Sequence, residues 1–168
     1  MTQVRLIPLT EADRGRFVEE EIANYADQQV RDAGWPREEA LSRARTELMP
    51  ILERELDEAA EQGHQVWVAI RSDGEPVGWL WVRPGDDANG RSAYLYGITV
   101  AAAHRRRGCG SAMLSALEGT LGRGGVDELH LHVNVANEPA RRMYAAAGYE
   151  QIGEDERHLR KRLGSPPP

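Results

Sequence analysis

The stretch His104–Leu114, HRRRGCGSAML, runs three consecutive arginines into Gly108-Cys109-Gly110 and then into an apolar spacing that reads as a helix. Immediately before it, AYLYGITV (93–100) is rich in β-branched and aromatic residues, the composition of a strand. A turn of this kind between strand and helix is a seat for an anion. The first turn of a helix leaves backbone N–H groups unpaired, glycines let a ligand approach them, and arginines add charge and donors suited to phosphate oxygens. The stretch is no P-loop, which needs four residues between its glycines and a following Gly-Lys-Ser/Thr, and no dinucleotide fingerprint, since the third glycine is missing. Taken alone, Gly-x-Gly equally describes a plain turn whose arginines face water.

The flanks supply an architecture. Upstream, VWVAIR (66–71), a turn SDGEP (72–76) and VGWLWVR (77–83) read as a hairpin, with Trp79 and Trp81 on one face. Downstream, Met113, Leu114, Leu117 and Leu121 mark a helix that GRGG (122–125) stops. ELHLHVNV (128–135) is the next strand, NEPARRMYAAAGY (137–149) the next helix with Pro139 in its first turn, and ERHLRKRL (156–163) a last strand. Closer to the N-terminus, VRLIPL (4–9) is a short strand, and Thr10 with Asp13 forms a capping-box signature for a helix. That helix carries a stripe of Val18, Ile22, Tyr25, Ala26, Val30 and Ala33 and ends at Gly34. A second helix follows Trp35-Pro36, with Leu41, Ala44, Leu48, Leu52, Leu56 and Ala59 as its stripe and Gly63 as its stop; Pro50 predicts a kink or restart within it. Strand, two helices, a β-meander, then helix, strand, helix and strand make one α/β domain over 1–163, with 164–168 as a disordered tail.

Composition narrows the function classes. A chain of 168 residues, 40% hydrophobic with mean hydropathy -0.58, is that of an ordinary globular protein with one core. No apolar run approaches the roughly 20 residues that span a bilayer, and the opening MTQVRLIPLT lacks a signal-peptide pattern, so no membrane partner and a cytoplasmic location are expected. Cys109 is the single cysteine, which rules out an internal disulfide and a cysteine-built metal site. A formal net charge of -6 argues against wholesale nucleic-acid binding, so the basic turn is expected to meet a small anion. Lys161 is the one lysine among the cations.

With these residues in view, ITVAAAHRRRGCGSAML resembles the acyl-CoA signature of the GNAT superfamily of N-acyltransferases, an Arg/Gln-x-x-Gly-x-Gly/Ala after a strand ending in Val. LHLHVNVANEPARRMYAAAGYE is similar to the family's second motif through Asn137, Ala140, Met143-Tyr144 and Gly148-Tyr149, in the right order and separation. The resemblance extends over about residues 66–155, and YADQQVRDAGWPREEA with GWLWV and LHV is also similar to a small bacterial branch of uncharacterised members. It implies a mixed, mostly antiparallel sheet of six to seven strands flanked by about four helices and splayed between its fourth and fifth strands. Gly97 inside YLYGITV is a sensible bulge residue for that fourth strand.

The resemblance also implies roles. Backbone amides of Arg105, Arg106, Arg107, Gly108, Cys109, Gly110 and Ser111 would hold the pyrophosphate of acetyl-CoA, and main-chain groups of Ile98, Thr99 and Val100 would face its pantetheine arm and acetyl carbonyl. Asn137 would contact the cofactor while capping its helix, and Tyr144 would protonate the departing thiolate. Many members place a glutamate on the fourth strand as general base; here Tyr94, Tyr96 and Gly97 stand in that region, and His132 on the neighbouring strand, its face shared with His130, is the substitute. A hydrogen-bonded structural histidine is the other reading of His132. Glu21 and Tyr25, on the helix that usually walls the acceptor site, and Tyr96 are the acceptor-side candidates, and Cys109 itself reads as packing. The implied activity is acetyl transfer from acetyl-CoA to a primary amine, first of a small molecule such as a metabolite or amine-bearing antibiotic, second of a protein N-terminus or lysine. A non-catalytic acyl-CoA sensor is the alternative of another class. No metal is called for, and family habit implies a homodimer.

Overall fold

The computed structural model describes residues 3–85 and 87–164, so all of the expected tail but Gly164 lies outside the described residues. The chain divides into two compact units: a sheet unit made of residues up to Pro8 and from His64 onward, and a helical unit, Leu9–Gly63.

The sheet unit contains β1 (Val4–Pro8), β2 (Gln65–Arg71), β3 (Pro76–Pro84), β4 (Ser92–Val100), β5 (Glu128–His132), β6 (Glu150–Gln151) and β7 (His158–Arg162) in the order β1-β2-β3-β4-β5-β7-β6. Every neighbouring pair is antiparallel except β4–β5. A parallel pair needs a crossover, and α3 (Cys109–Arg123) supplies it; α4 (Glu138–Ala146) follows β5. This is the architecture the resemblance implies. Strand alternation divides the sheet's residues between two faces. Leu80 and Val82 of β3, Leu95 of β4, Leu129 and Leu131 of β5 and Leu159 of β7 form one core with Met113, Leu114, Leu117 and Leu121 of α3. Each such side chain, fully buried, contributes about 1.5–3 kcal/mol. The opposite alternation carries Trp81, Tyr94, His130, His132 and His158. Lys161 leaves β7 on the α3 side, where its Nζ lies 2.6 Å from Glu118 Oε2.

Two strands differ from their sequence limits. β5 stops at His132 rather than 135, because Asn134 turns the chain: its Oδ1 accepts from the Ala136 amide at 2.9 Å and its carbonyl from the Asn137 amide at 2.9 Å. β6 was not foreseen; two residues are too few to show a period.

The helical unit consists of α1 (Glu11–Asp32) and α2 (Arg37–Glu61), bridged by Arg14–Asp57 at 2.7 Å and by Arg45–Glu19. Two expectations are corrected there and a third is narrowed. The Thr10 hydroxyl makes no cap bond to the helix backbone and instead donates to Asp13 Oδ2 at 2.6 Å, since a short Asp at this position offers its carboxylate to the hydroxyl. α2 runs through Pro50 as one helix, so of the kink or restart expected there the restart does not occur. Leu41 is 49% exposed while Ala40 and Ala44 are buried, so the stripe's first residue lies one position earlier than the leucine.

Gly78 marks where the sheet unit tolerates no side chain. A Cβ there would collide with the Thr99 carbonyl oxygen on β4 and sit 2.8 Å from Met113 Cε. Because the first obstacle is backbone, Gly78→Ala is expected to destabilise the fold by about 1–3 kcal/mol. Urea unfolding measures it, and a midpoint equal to wild type would contradict this packing.

Candidate active site

The site begins where two strands part. β4 pairs with β5 only from Ser92↔Glu128 to Leu95↔Leu131. On its other side the register to β3 shifts: Trp81 faces Gly97 while Val82 faces Leu95, which leaves Tyr96 as the extra residue of a bulge. The bulge therefore falls one position before Gly97. A bulge bends its strand, and beyond it Ile98, Thr99 and Val100 pair with β3 and with no second strand among the described residues. One edge of their main chain is thus left for another partner.

At the end of that edge the chain enters the arginine turn. A 3₁₀ turn over Ala102–His104 leads to Arg105 (φ -65), Arg106 at φ 60 and Gly108 at φ 77, after which α3 begins at Cys109. Left-handed residues interleaved with ordinary ones aim successive N–H groups into a common concavity, the geometry of an anion nest. Arg106 holds a conformation that costs a non-glycine residue energy. The Arg105 Nε donates to the Val100 carbonyl at 3.0 Å, tying the turn to the end of β4. Gly108 and Gly110 serve different ends. A Cβ on Gly108 would meet nothing within 4 Å, so its surroundings are open; one on Gly110 would come 3.0 Å from Met143 Sδ, so α4 abuts the first turn of α3 there. Cys109 is 3% exposed within the core, in keeping with packing. Beside the turn opens a cleft of about 1020 Å³ lined by Arg71, His104, Arg107 and Ser111 among others. His104, to which the sequence reading assigned nothing, is buried, with Nε2 3.3 Å from Glu75 Oε1.

Asn137 caps α4, its Oδ1 accepting from the Ala140 amide at 3.3 Å. Seven residues on, Tyr144 is buried with its ring 5.5 Å from that of Tyr149, and burial pushes its phenol up to about 12. A phenol so placed keeps its proton throughout the physiological range.

The other face of the parting is lined by rings. Tyr96, 51% exposed, lies 4.6 Å from the His64 ring and 4.7 Å from Tyr94, and the Trp81 indole donates to His64 Nδ1 at 3.0 Å. The Tyr94 hydroxyl contacts His132 Nδ1, and His132 Nε2 lies 3.5 Å from Asp155 Oδ2. Hydrogen bonds from Arg157 hold the Asp155 carboxyl down at about 2. His132 stacks on His158 at 4.6 Å and 16°; burial first, then the neighbouring His132 and His130, lower the pKa of His158. The structure thus gathers Tyr96 and His132 at the gap, while Glu21 and Tyr25 belong to the helical unit, where Tyr25 packs edge-on to Trp35 at 5.9 Å. The sequence reading noted Tyr94 only as standing where an acid might, and Asp155 and His158 escaped it; His158 was visible as a histidine in a strand, but its place beside His132 depends on the β5–β7 register.

The sequence profile described as "Acetyltransferase (GNAT) family" matches residues 28–149. The uncharacterized N-acetyltransferase YycN of Bacillus subtilis is 24% identical over 148 residues, covering 88% of this chain and 93% of its own. Its crystal structure superposes with a TM-score of 0.66 at 23% identity, covering 90% of this chain and 94% of that one. The PaiA N-acetyltransferase of Thermoplasma acidophilum, in complex with coenzyme A, gives 0.68 at 17% identity over 95% and 99% of the two chains. Spermidine N-acetyltransferase of Vibrio cholerae, in complex with CoA and spermine, gives 0.68 at 16% identity over 97% of each. The profile covers more than half of the sequence and takes in both the arginine turn and the Asn137–Tyr149 segment, and the chain accordingly belongs to the GNAT family of acetyltransferases and is an acetyl-CoA-dependent acyltransferase.

Proposed function

We propose that this chain transfers the acetyl group of acetyl-CoA directly to a primary amine of a small molecule. The observation that carries the reading is the edge of Ile98–Val100 that pairs with no second strand among the described residues, with an anion nest at one end and rings at its mouth. An amide-bearing arm can pair with that edge, and a pyrophosphate suits the N–H groups from Arg105 to Ser111 over a Gly108 whose surroundings are open. Acetyl-CoA, when bound, supplies a thioester activated toward amines. An N–H of the Ile98–Val100 edge would polarise the acetyl carbonyl. Asn137 both caps α4 and borders the cofactor, Tyr144 gives its proton to the departing sulfur, and His132 receives the proton of the amine. Support for a small acceptor comes from the structural likeness to an acetyltransferase holding spermine. The working unit is one domain over 1–163, since the profile match at 28–149 takes in residues of both compact units, and its place is the cytoplasm. A homodimer remains the expected assembly, to be weighed by light scattering.

The deciding experiment pairs calorimetry of acetyl-CoA with free-thiol release on a panel of spermidine, kanamycin, 2-phenylethylamine and an unblocked alanine tripeptide. Thiol release with one of the first three is expected. Release with the tripeptide alone would move the acceptor to a protein N-terminus, and binding without release would turn the protein into a sensor. Tyr144→Phe is expected to lower kcat about 10²-fold or more with the acetyl-CoA Kd within a factor of about two; an unchanged kcat removes Tyr144 from the chemistry.

The nest makes its own forecast. Gly108→Ala places a side chain at φ 77, and is expected to weaken acetyl-CoA about tenfold, about 1.4 kcal/mol. Arg106→Gly keeps the left-handed turn without its strain and is expected to retain or raise the thermal midpoint. A Gly108→Ala protein with wild-type affinity would show that the turn is not the phosphate seat.

A further inference from the structure

We infer that the acceptor is a primary monoamine carried on an aromatic ring by a short alkyl linker, with the ring seated on Tyr96 and the nitrogen reaching into the parting of β4 and β5. The inference rests on the transferase reading above and names the chemical class of its acceptor.

The rings on this face form one connected run. Trp81 lies edge-on to His64 at 6.3 Å, His64 is 4.6 Å from Tyr96, and Tyr96 is 4.7 Å from Tyr94. Tyr94 continues it to His132 at 5.8 Å, and His132 to His158 at 4.6 Å. All belong to the sheet unit, which resumes at His64. Tyr96, in the middle of the run, is 51% exposed. Among the described residues of that unit, Val135 is the other large apolar side chain so open to water.

Both stand just beyond the last β4–β5 pair, Leu95↔Leu131. Tyr96 is the first residue of the open edge, and Val135 lies four residues past the same pair on the continuation of β5. The bulge gives Tyr96 no register partner on β3, so its backbone is bent out of the pairing and its ring lies against Tyr94 and His64. An apolar ring held open at the mouth of the gap is a surface for a second ring, which gains both burial and ring contact there. A strand rises about 3.3 Å per residue, which puts Ile98 about 7 Å along the edge from Tyr96, and a linker of about two or three carbons spans that step.

Charge selects against the other amine classes. β4, SAYLYGITV, carries no charged side chain. Two carboxylates border the run, and both are engaged by cations of the fold. Glu128 lies within 3.5 Å of His130, Arg160 and Arg162, and Asp155 is 2.9 Å from Arg157 and 3.5 Å from His132. A polyamine or an aminoglycoside brings several ammonium groups, and each beyond the reacting one would have to compete with an arginine for its carboxylate. Cation–π contact with an exposed tyrosine is weaker than what an aryl group gains by covering the same ring.

The chemistry is that of the transferase. The N–C bond forms as the C–S bond breaks, and of the two protons the ammonium gives up, one leaves on the thiol and one goes to water.

The test ranks acceptors and then alters Tyr96. Free-thiol release is followed with 2-phenylethylamine, n-propylamine, spermidine, kanamycin and the alanine tripeptide, and kcat/KM for 2-phenylethylamine is expected to exceed each of the others by about tenfold or more. Tyr96→Ala is expected to lower the ratio of 2-phenylethylamine to n-propylamine about tenfold, and Tyr96→Phe, which keeps the ring, to preserve it. Calorimetry in the presence of CoA, which has no acetyl group to transfer, gives a readout apart from turnover: 2-phenylethylamine is expected to bind about tenfold more tightly than spermidine. The wild-type ranking and the calorimetry decide the matter even where the alanine variant does not fold. Faster turnover of spermidine, kanamycin or the tripeptide, or a ratio that Tyr96→Ala does not move, rejects the aryl acceptor while leaving the transferase standing; thiol release with none of these amines rejects both.

Discussion

The parting of β4 from β5 after Leu95 and Leu131 is the constraint around which the sheet unit is organised. A strand edge in the middle of a sheet is a row of donors and acceptors, and leaving one of them buried without a partner costs about 1–3 kcal/mol. Proteins usually close such a gap. This one holds it open by three local devices: the extra residue at Tyr96 bends β4, Asn134 turns the chain away after β5, and Arg105 binds the Val100 carbonyl at the far end. The gap is therefore part of the resting fold, so a ligand with amides in its chain finds the missing strand's place already shaped.

The two sides of that gap are chemically unlike. Toward α3 the surroundings are apolar, and Tyr144 belongs to that core with its phenol pushed up to about 12. Toward the opposite face, imidazoles, phenols and carboxylates lie within reach of water. Environments so unlike drive the proton affinities of the groups within them apart, and this sheet has one on each of its faces. α4 links the halves: Asn137 starts it, Met143 abuts Gly110, and Tyr144 faces the core.

How much of this was legible in the amino-acid order depends on how local the cause is. The arginine turn was legible because its glycines and its place between strand and helix are local, and the element order followed from periodicity. The splay came from family resemblance; no spacing in AYLYGITV by itself states where pairing ends. The bulge fell at Tyr96 instead of Gly97 because register is settled by both neighbours of a strand at once. Thr10 and Leu41 misled because a local rule assigned them to the backbone and to the core, whereas the Thr10 hydroxyl donates to Asp13 and Leu41 lies exposed. The Tyr94–His132–Asp155 contact joins residues from β4, β5 and the loop before β7, and only folding adds those distances up.

The ion pair between Lys161 and Glu118 has a meaning beyond tying β7 to α3. Thioesters acylate free amines without help, and any protein that dwells with one is exposed to that side reaction. This chain's only lysine has its amine 2.6 Å from a carboxylate and largely beneath the surface, where it is tied to α3 and poorly placed to reach a thioester. The remaining cationic side chains counted with it are guanidinium groups, which keep their charge at every pH the fold will meet and do not attack thioesters. A surface built on arginine can thus attract a phosphorylated acyl carrier while offering it almost no lysine to modify, so the bound acyl group is left for the intended acceptor.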